Sequence, residues 1–352
     1  MDLNIKLLSK ICEIPGVPGY EQKIRKFVFD AVEPLVDEIR VDNLGNIIAL
    51  KKGKNNPDQK KIMVSAHMDE IGFIVTHIDD NGFVWFHPLG GFDPKTLTAQ
   101  RVIVHGTSDL IGVMGSKPIH VMSADERNKP AKMEDFFIDL GMKKEEVECY
   151  VSVGDPVSRE RSLVEMGDCV NCKSLDNRVS VFILIETLKQ LEDIPYDLYA
   201  VFSVQEEVGL RGANVATHQI NPDFGIALDT TIAYDVPGAS GKEKITSLGK
   251  GAAIKIMDSS AIADYRMVQY LRNLAEQKEI KWQTEILTAG GTDTASIQRM
   301  GKSGAIAGAI SIPTRHIHQV IETCHKEDIQ NCIRLLTAAL EEPDRFDWSW
   351  NR

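Results

Sequence analysis

Lys61-Ile-Met-Val-Ser-Ala-His67-Met-Asp69-Glu-Ile-Gly72 is a short apolar run that stops on an imidazole and a carboxylate two residues apart. An apolar run of roughly four to eight residues with a polar end predicts a strand buried on both faces, as in a parallel sheet. In open α/β sheets ligands bind beyond the carboxyl ends of the strands, which is where His67 and Asp69 fall. A single His-x-Asp is more often a hydrogen-bonded core pair than a ligand pair, so its weight depends on whether the pattern recurs.

It recurs. Leu198 to Val204 runs into Gln205-Glu206-Glu207-Val-Gly209, Phe224 to Leu228 into Asp229-Thr-Thr, and Ala305 to Ile312 into Pro313-Thr-Arg315-His316-Ile317-His318. Asp176, in Lys173-Ser-Leu-Asp176-Asn-Arg178, opens an apolar-periodic segment that predicts a helix to about Leu191. Plain N-capping would also place an Asp there, and capping and liganding are compatible. Adjacent acids such as Glu206 and Glu207 ordinarily mark a solvated loop; here they terminate a buried run. The collected set is His67, Asp69, Asp176, Glu206, Glu207, Asp229 and one of His316 or His318. Imidazoles mixed with carboxylates suit zinc, cobalt or manganese, whereas all-oxygen sites suit calcium or magnesium. The carboxylates outnumber the needs of one structural zinc. Two divalent ions about 3.5–4 Å apart, sharing a bridging carboxylate and a water, would use them all and are a device for hydrolysis.

Composition sets the outer bounds. A chain of 352 residues with 43% hydrophobic content can bury a large core and form two domains, or one domain with an insertion. Lys+Arg 40 against Asp+Glu 51 gives a net charge of -11, which argues against nucleic acid or an anionic membrane as partner. The first residues hold no long apolar h-region and no stretch has the length of a membrane span, so a cytoplasmic protein is expected. Six cysteines make no disulfide framework, and Cys169-Val-Asn-Cys172, lacking a second pair, reads as structural. No Walker spacing occurs around Gly238 to Lys244 or Gly249 to Gly251.

Along the chain, Leu3 to Ile14 and Glu21 to Val36 carry helical spacing on either side of the breaker Pro15-Gly-Val-Pro-Gly19. After Gly72 the texture changes to short β-rich pieces, Phe73 to Ile78, Phe83 to Phe86, Arg101 to His105 and Leu110 to Gly115, joined by hairpin turns. Lys129 to Tyr150 leaves room for one short helix. An α/β catalytic domain from 1–70 and 169–352, with a β-rich insertion at 71–168, is therefore expected. Ser259 to Glu276 predicts an amphipathic helix and Trp282 to Leu287 a strand; Lys326 to Leu340 predicts the closing helix. Gly290 and Gly291, in Ala289-Gly-Gly-Thr-Asp293, either turn the chain or cradle a ligand.

Val64 to Gly72, Ser174 to Arg178, Gln205 to Gly209, Ala227 to Asp229 and Pro313 to His318 together resemble the motifs of the tetrahedral (TET-type) metallo-aminopeptidases. These include glutamyl and deblocking aminopeptidases and were once often labelled endoglucanases. The resemblance covers essentially the whole chain. It implies a mixed-sheet α/β metallopeptidase domain of phosphorylase/hydrolase-like fold, interrupted by a PDZ-like domain that mediates assembly of dimers into dodecamers. It implies two divalent ions, zinc or cobalt or else manganese, with His67 and Asp229 on one, Glu207 and His318 on the other, and Asp176 between them. Asp69 would then orient His67, and Glu206 would be the general base acting on peptides with a free N-terminus. Gly290, Gly291 and Arg315 would bind substrate. One departure stands out: the family commonly has an aromatic residue at the place of His316 and a small hydroxyl residue at that of Gln319. The remaining alternatives are a carboxypeptidase or amide deacylase on the same core, with Arg178 or Arg315 taking a carboxylate, and a metal-independent glycosidase.

Overall fold

The computed structural model describes residues 3–350. Lys61–His67 is central to an eleven-stranded mixed sheet. Asp197–Ser203 and Phe224–Ile232 flank it in parallel, with Val64 opposite both Ala200 and Ile226, and Ile306–Arg315 runs parallel beyond Phe224–Ile232. The quoted run is apolar almost throughout because both faces are covered. Ile62, Val64 and Ala66 enter one core and Met63 the opposite one, the alternation a pleated strand requires. Leu175–Gln190, Lys326–Glu341 and Ile5–Glu13 pack on the first face, and Arg211–Ile220 and Thr294–Arg299 on the second. At roughly 1.5–3 kcal/mol for each large aliphatic side chain taken from water, the two cores dominate stability.

Antiparallel strands finish the sheet. Ile47–Lys51 and Glu38–Val41 extend one side, and Glu322–His325, Cys169–Cys172 and Val164–Met166 the other, while Ala252–Met257 and Trp282–Ile286 branch from Ile306–Arg315. The β-rich segment is a closed six-stranded antiparallel barrel made of Gly72–Ile78, Val84–Leu89, Phe136–Asp139, Asp109–Ser116, Arg101–His105 and Pro156–Arg159. Closure leaves no free edge, and the barrel has its own core around Phe73, Val84, Val104 and Ile138. Its first strand begins three residues after Asp69, so the barrel is tied directly to the end of the central strand.

Several elements differ from expectation. Val164–Met166 pairs with Cys169–Cys172, placing it in the large sheet rather than among the barrel strands. The helix expected from Ser259 starts only at Tyr265, because Asp258 folds Ser260 and Ala261 into a turn and Asp264 supplies the N-cap. Lys129 to Tyr150 holds a barrel strand, Phe136–Asp139, as well as the short helix Lys144–Val147. The second helix is regular only over Gln22–Val32; Pro34 then imposes a 3-10 turn.

Candidate metal centre

The four parallel strands deliver their C-terminal ends to one place. Ser203 pairs with His67, and Asp229 lies two residues beyond Ala227, the partner of Ser65, so His67 and Asp229 stand level. Asp229 does not end its strand; pairing with Ile306–Arg315 continues to Ile232, and only the Lys61–His67 side is free at that level. His67 Nδ1 lies 3.1 Å from the backbone oxygen of Asp69. A carbonyl only accepts, so Nδ1 donates to it and Nε2 is the nitrogen turned to the site, free to ligate a cation once its own proton is displaced. Around Nε2 lie Asp176 Oδ1 at 3.6 Å, Asp229 Oδ1 at 3.7 Å and Glu206 Oε2 at 3.8 Å.

Asp176 faces two ways. Its Oδ1 turns to His67 and its Oδ2 lies 3.5 Å from His318 Nε2, which is itself 3.4 Å from Glu207 Oε2. Two groups result, His67 with Asp176 and Asp229, and Asp176 with Glu207 and His318; within each, one ligand atom per residue lies within 4.8 Å of the others. Asp176 sits in the opening turn of Leu175–Gln190 with non-helical backbone angles, and its N–H donates to Glu322. Asp69 does more than the resemblance implies. Its backbone oxygen orients His67, while its buried carboxylate accepts the N–H groups of Glu206 and Glu207, both at 3.1 Å.

The electrostatics are those of a site that attracts cations. Burial alone would push His67 down, but Glu206, Asp176, Asp229 and Asp69 hold its imidazolium well above the ordinary range. His318 behaves likewise, rising to about 11 because Glu207 and Asp176 outweigh its burial. Burial raises Asp229 to about 7 against the pull of His67, and it lifts Glu206 well above the usual carboxylate range, helped by Asp229 and Glu207. The reverse holds at Asp176, where His318 and His67 overcome burial and hold the carboxyl low. Buried carboxylates mixed with imidazoles, with Asp176 common to both groups, suit divalent cations.

The chain is similar to known proteins along nearly its whole length. The family model described as M42 glutamyl aminopeptidase matches residues 45–335. The chain belongs to the M42 glutamyl aminopeptidase family. A putative aminopeptidase of Acetivibrio thermocellus is 41% identical over 335 residues, covering 95% of this chain and 97% of that protein. An aminopeptidase from the archaeon Desulfurococcus kamchatkensis superposes with a TM-score of 0.93 at 37% identity, over 99% of this chain and 98% of its own. The Pyrococcus horikoshii TET1 peptidase, described as assembling into a tetrahedron or a large octahedral shell, superposes with a TM-score of 0.86 at 32% identity, over 96% and 99%. Membership makes the protein a hydrolase acting on peptide bonds, and the family implies divalent metals.

In this M42 chain the two groups open on a cavity of about 730 Å³, lined also by Gly290, Gly291, Leu287, Tyr234 and His316. The Gly290-Gly291 turn is docked onto the sheet by Asp293, whose Oδ2 accepts the hydroxyls of Ser65 and Ser203, each at 2.6 Å. His316 is exposed and belongs to neither ligand group. Arg315 departs from expectation: its guanidinium donates to Asp235 at 2.5 and 2.8 Å, and it is not among the cavity's lining residues. Arg178 is fully buried and donates to the carbonyls of Met68, Ile11, Ile14 and Gly16. Among the described residues no helix is long and apolar enough to cross a membrane. Sequence reasoning missed Glu322, whose two oxygens accept the N–H groups of Asp176 and His318. It also missed Lys255 and Asp258 on the cavity floor. A glutamate four residues past His318 was the available signal.

Proposed function

We propose that this peptidase is a two-metal aminopeptidase that releases the first residue of peptides bearing a free N-terminus. The observation that carries the reading is the division of the Asp176 carboxylate, one oxygen toward His67 and the other toward His318. His67 and Asp229 would hold one ion, Glu207 and His318 the other, and Asp176 both. Held there, divalent ions would supply Lewis acidity, polarising the scissile carbonyl and acidifying the attacking water. Glu206, buried and set 3.8 Å from His67 Nε2, takes the proton of the attacking water and returns it to the departing amine. The raised Glu206 carboxyl suits both halves of that exchange. Asp69 keeps Glu206 and Glu207 in register by holding their amides. Gly290 and Gly291 present bare backbone to the cavity for the substrate chain.

The carboxypeptidase alternative loses its two anchors, since Arg178 is committed to four carbonyls and Arg315 to Asp235. Zinc or cobalt suits the mixed donors best, with manganese next. Assembly of dimers into a dodecamer through the barrel, read as a PDZ-like domain, is supported by the TET1 likeness and by the exposure of Ile111, Ile119 and Val121. The division into domains is proposed as main sheet and barrel, and a cytoplasmic site suits six unpaired cysteines. The test uses one short peptide with its N-terminus free or acetylated and its C-terminus free or amidated. Only acetylation should abolish cleavage, a chelator should stop it, and zinc or cobalt should restore it. Cleavage of the acetylated peptide from its C-terminal end, or cleavage indifferent to chelation, would remove the reading.

A further inference from the structure

Glu322 is fully buried on Glu322–His325, a strand that returns beside the site. Its Oε2 accepts the Asp176 N–H at 2.8 Å and its Oε1 the His318 N–H at 3.1 Å. One side chain thus fixes the backbones of two proposed ligands from elements far apart in sequence, the shared carboxylate and the more exposed imidazole. Burial and the neighbouring Asp176 push its carboxyl well above the ordinary range, so a negative charge here needs an offset. The offset comes from the barrel. Arg159, 3% exposed on the last barrel strand, brings Nη2 to 3.9 Å from Glu322 Oε1 and to 2.5 Å from the backbone oxygen of Lys173.

Arg159 is not placed there by a full set of hydrogen bonds. Its Nε and Nη1 are buried without partners among the described residues, and its guanidinium lies 5.9 Å from the centre of the Phe92 ring. What remains to compensate its burial is charge, from Glu322 and from the ring face. The barrel also presses on the same half of the site through backbone: a Cβ added to Gly91 would lie 3.3 Å from His318 Nδ1, and one added to Gly90 3.4 Å from Glu207 Cβ.

We propose that Arg159 and Glu322 are a positioning pair through which the inserted barrel sets the ion site formed by Asp176, Glu207 and His318. The proposal rests on the two-metal reading. Groups that hold a ligand in place without touching the metal typically change affinity by about 10–100-fold when removed.

The experiment measures zinc affinity of the metal-stripped full-length protein by competition with a chromogenic chelator, beside thermal midpoints. Glu322→Gln should weaken one of two ions by about 10–100-fold, and Arg159→Met should weaken the same ion. Arg159→Lys, which keeps the charge, should recover most of the affinity. The double variant should bind no worse than the poorer single one, since both remove the same interaction. A purely structural pair would lower the thermal midpoint and leave zinc affinity unchanged, overturning the proposal; so would independent effects of the two substitutions, or a lysine variant no better than the methionine. If Arg159→Met does not fold, Arg159→Gln, which removes the charge and keeps a polar side chain, takes its place in the cycle, and an affinity loss that adds fully to that of Glu322→Gln overturns the proposal. Wild type that binds no zinc, or Glu207→Gln that binds two ions normally, would instead defeat the metal reading itself.

Discussion

The two halves of the centre are built differently. His67 and Asp229 rise side by side from adjacent parallel strands, and with Asp176 they are buried. Glu207 and His318 come from the loops that follow two other strands, and the His318 side chain keeps 36% of its exposure. The loop half also carries unusual backbone. Gln205, Leu210, His316 and His318 have positive φ, at 55°, 56°, 60° and 63°, conformations that cost energy in residues other than glycine. A sheet fixes ligands by its register; a loop needs other groups to fix it, which here are Asp69 under Glu207 and Glu322 under His318. The strand half should therefore be the tight site and the loop half the adjustable one, with Asp176 serving both.

The largest effect is expected where the halves meet. Asp176→Asn weakens both oxygens at once, so metal analysis should show the content falling from about two ions per chain toward none. kcat should drop by more than about 10⁴, the upper range for one positioned base. Retention of one full ion would mean that the halves do not share Asp176.

Next come the neighbours Glu206 and Glu207, which stand at the edges of the strand and loop halves. Glu206→Gln keeps the shape but cannot take a proton, and should lose about 10²–10⁴ in kcat with its metal intact. Glu207→Gln should lose the loop-half ion and regain part of its activity in excess metal. The opposite pattern, metal lost from the first and kept by the second, would exchange the two roles.

A smaller effect orders the sites. Titration of the loaded wild-type enzyme with chelator should remove one ion before the other, with affinities at least about tenfold apart, or about 1.4 kcal/mol. In His318→Ala the weakly held ion should be the one missing. Simultaneous release of both ions would show that burial does not separate the halves.

The sequence displayed the strand half more plainly than the loop half, for a physical reason. A strand covered on both faces must be apolar to its end, so His67 stands out against Ile62 to Ala66. The loop half depends on segments with no such contrast. Glu322–His325 reads Glu-Thr-Cys-His and is held by its partners Cys169–Cys172 and Ile306–Arg315 rather than by an apolar pattern. Ala252–Met257 is interrupted by Lys255, a charge tolerable at 1% exposure only because Glu285 and Asp258 flank it, which tertiary structure alone reveals. Arg211–Ile220 has Gly212 in its first turn packed on the Val204 backbone, a requirement invisible to periodicity. The β-rich insertion was legible from its hairpins, but not its closure, which joins Gly72–Ile78 to Pro156–Arg159 across more than seventy residues of chain.

The smallest effect tests how far the loop half extends. His316 and His318 lie two residues apart with nearly the same left-handed backbone, and both line the cavity. Only His318 reaches Asp176 and Glu207, and only its N–H is held by Glu322. His316 is exposed and stands outside both ligand groups. Replacing it with alanine removes a side chain from the cavity wall without touching a ligand, so metal content should stay whole and kcat/KM should move by no more than about threefold, about 0.6 kcal/mol. His318→Ala in the same assay should lose an ion. Were His316→Ala to lose the ion and His318→Ala to keep it, the loop would have to present the other imidazole when metal binds, and the adjustable half would be adjustable in the identity of its ligand as well as in its affinity.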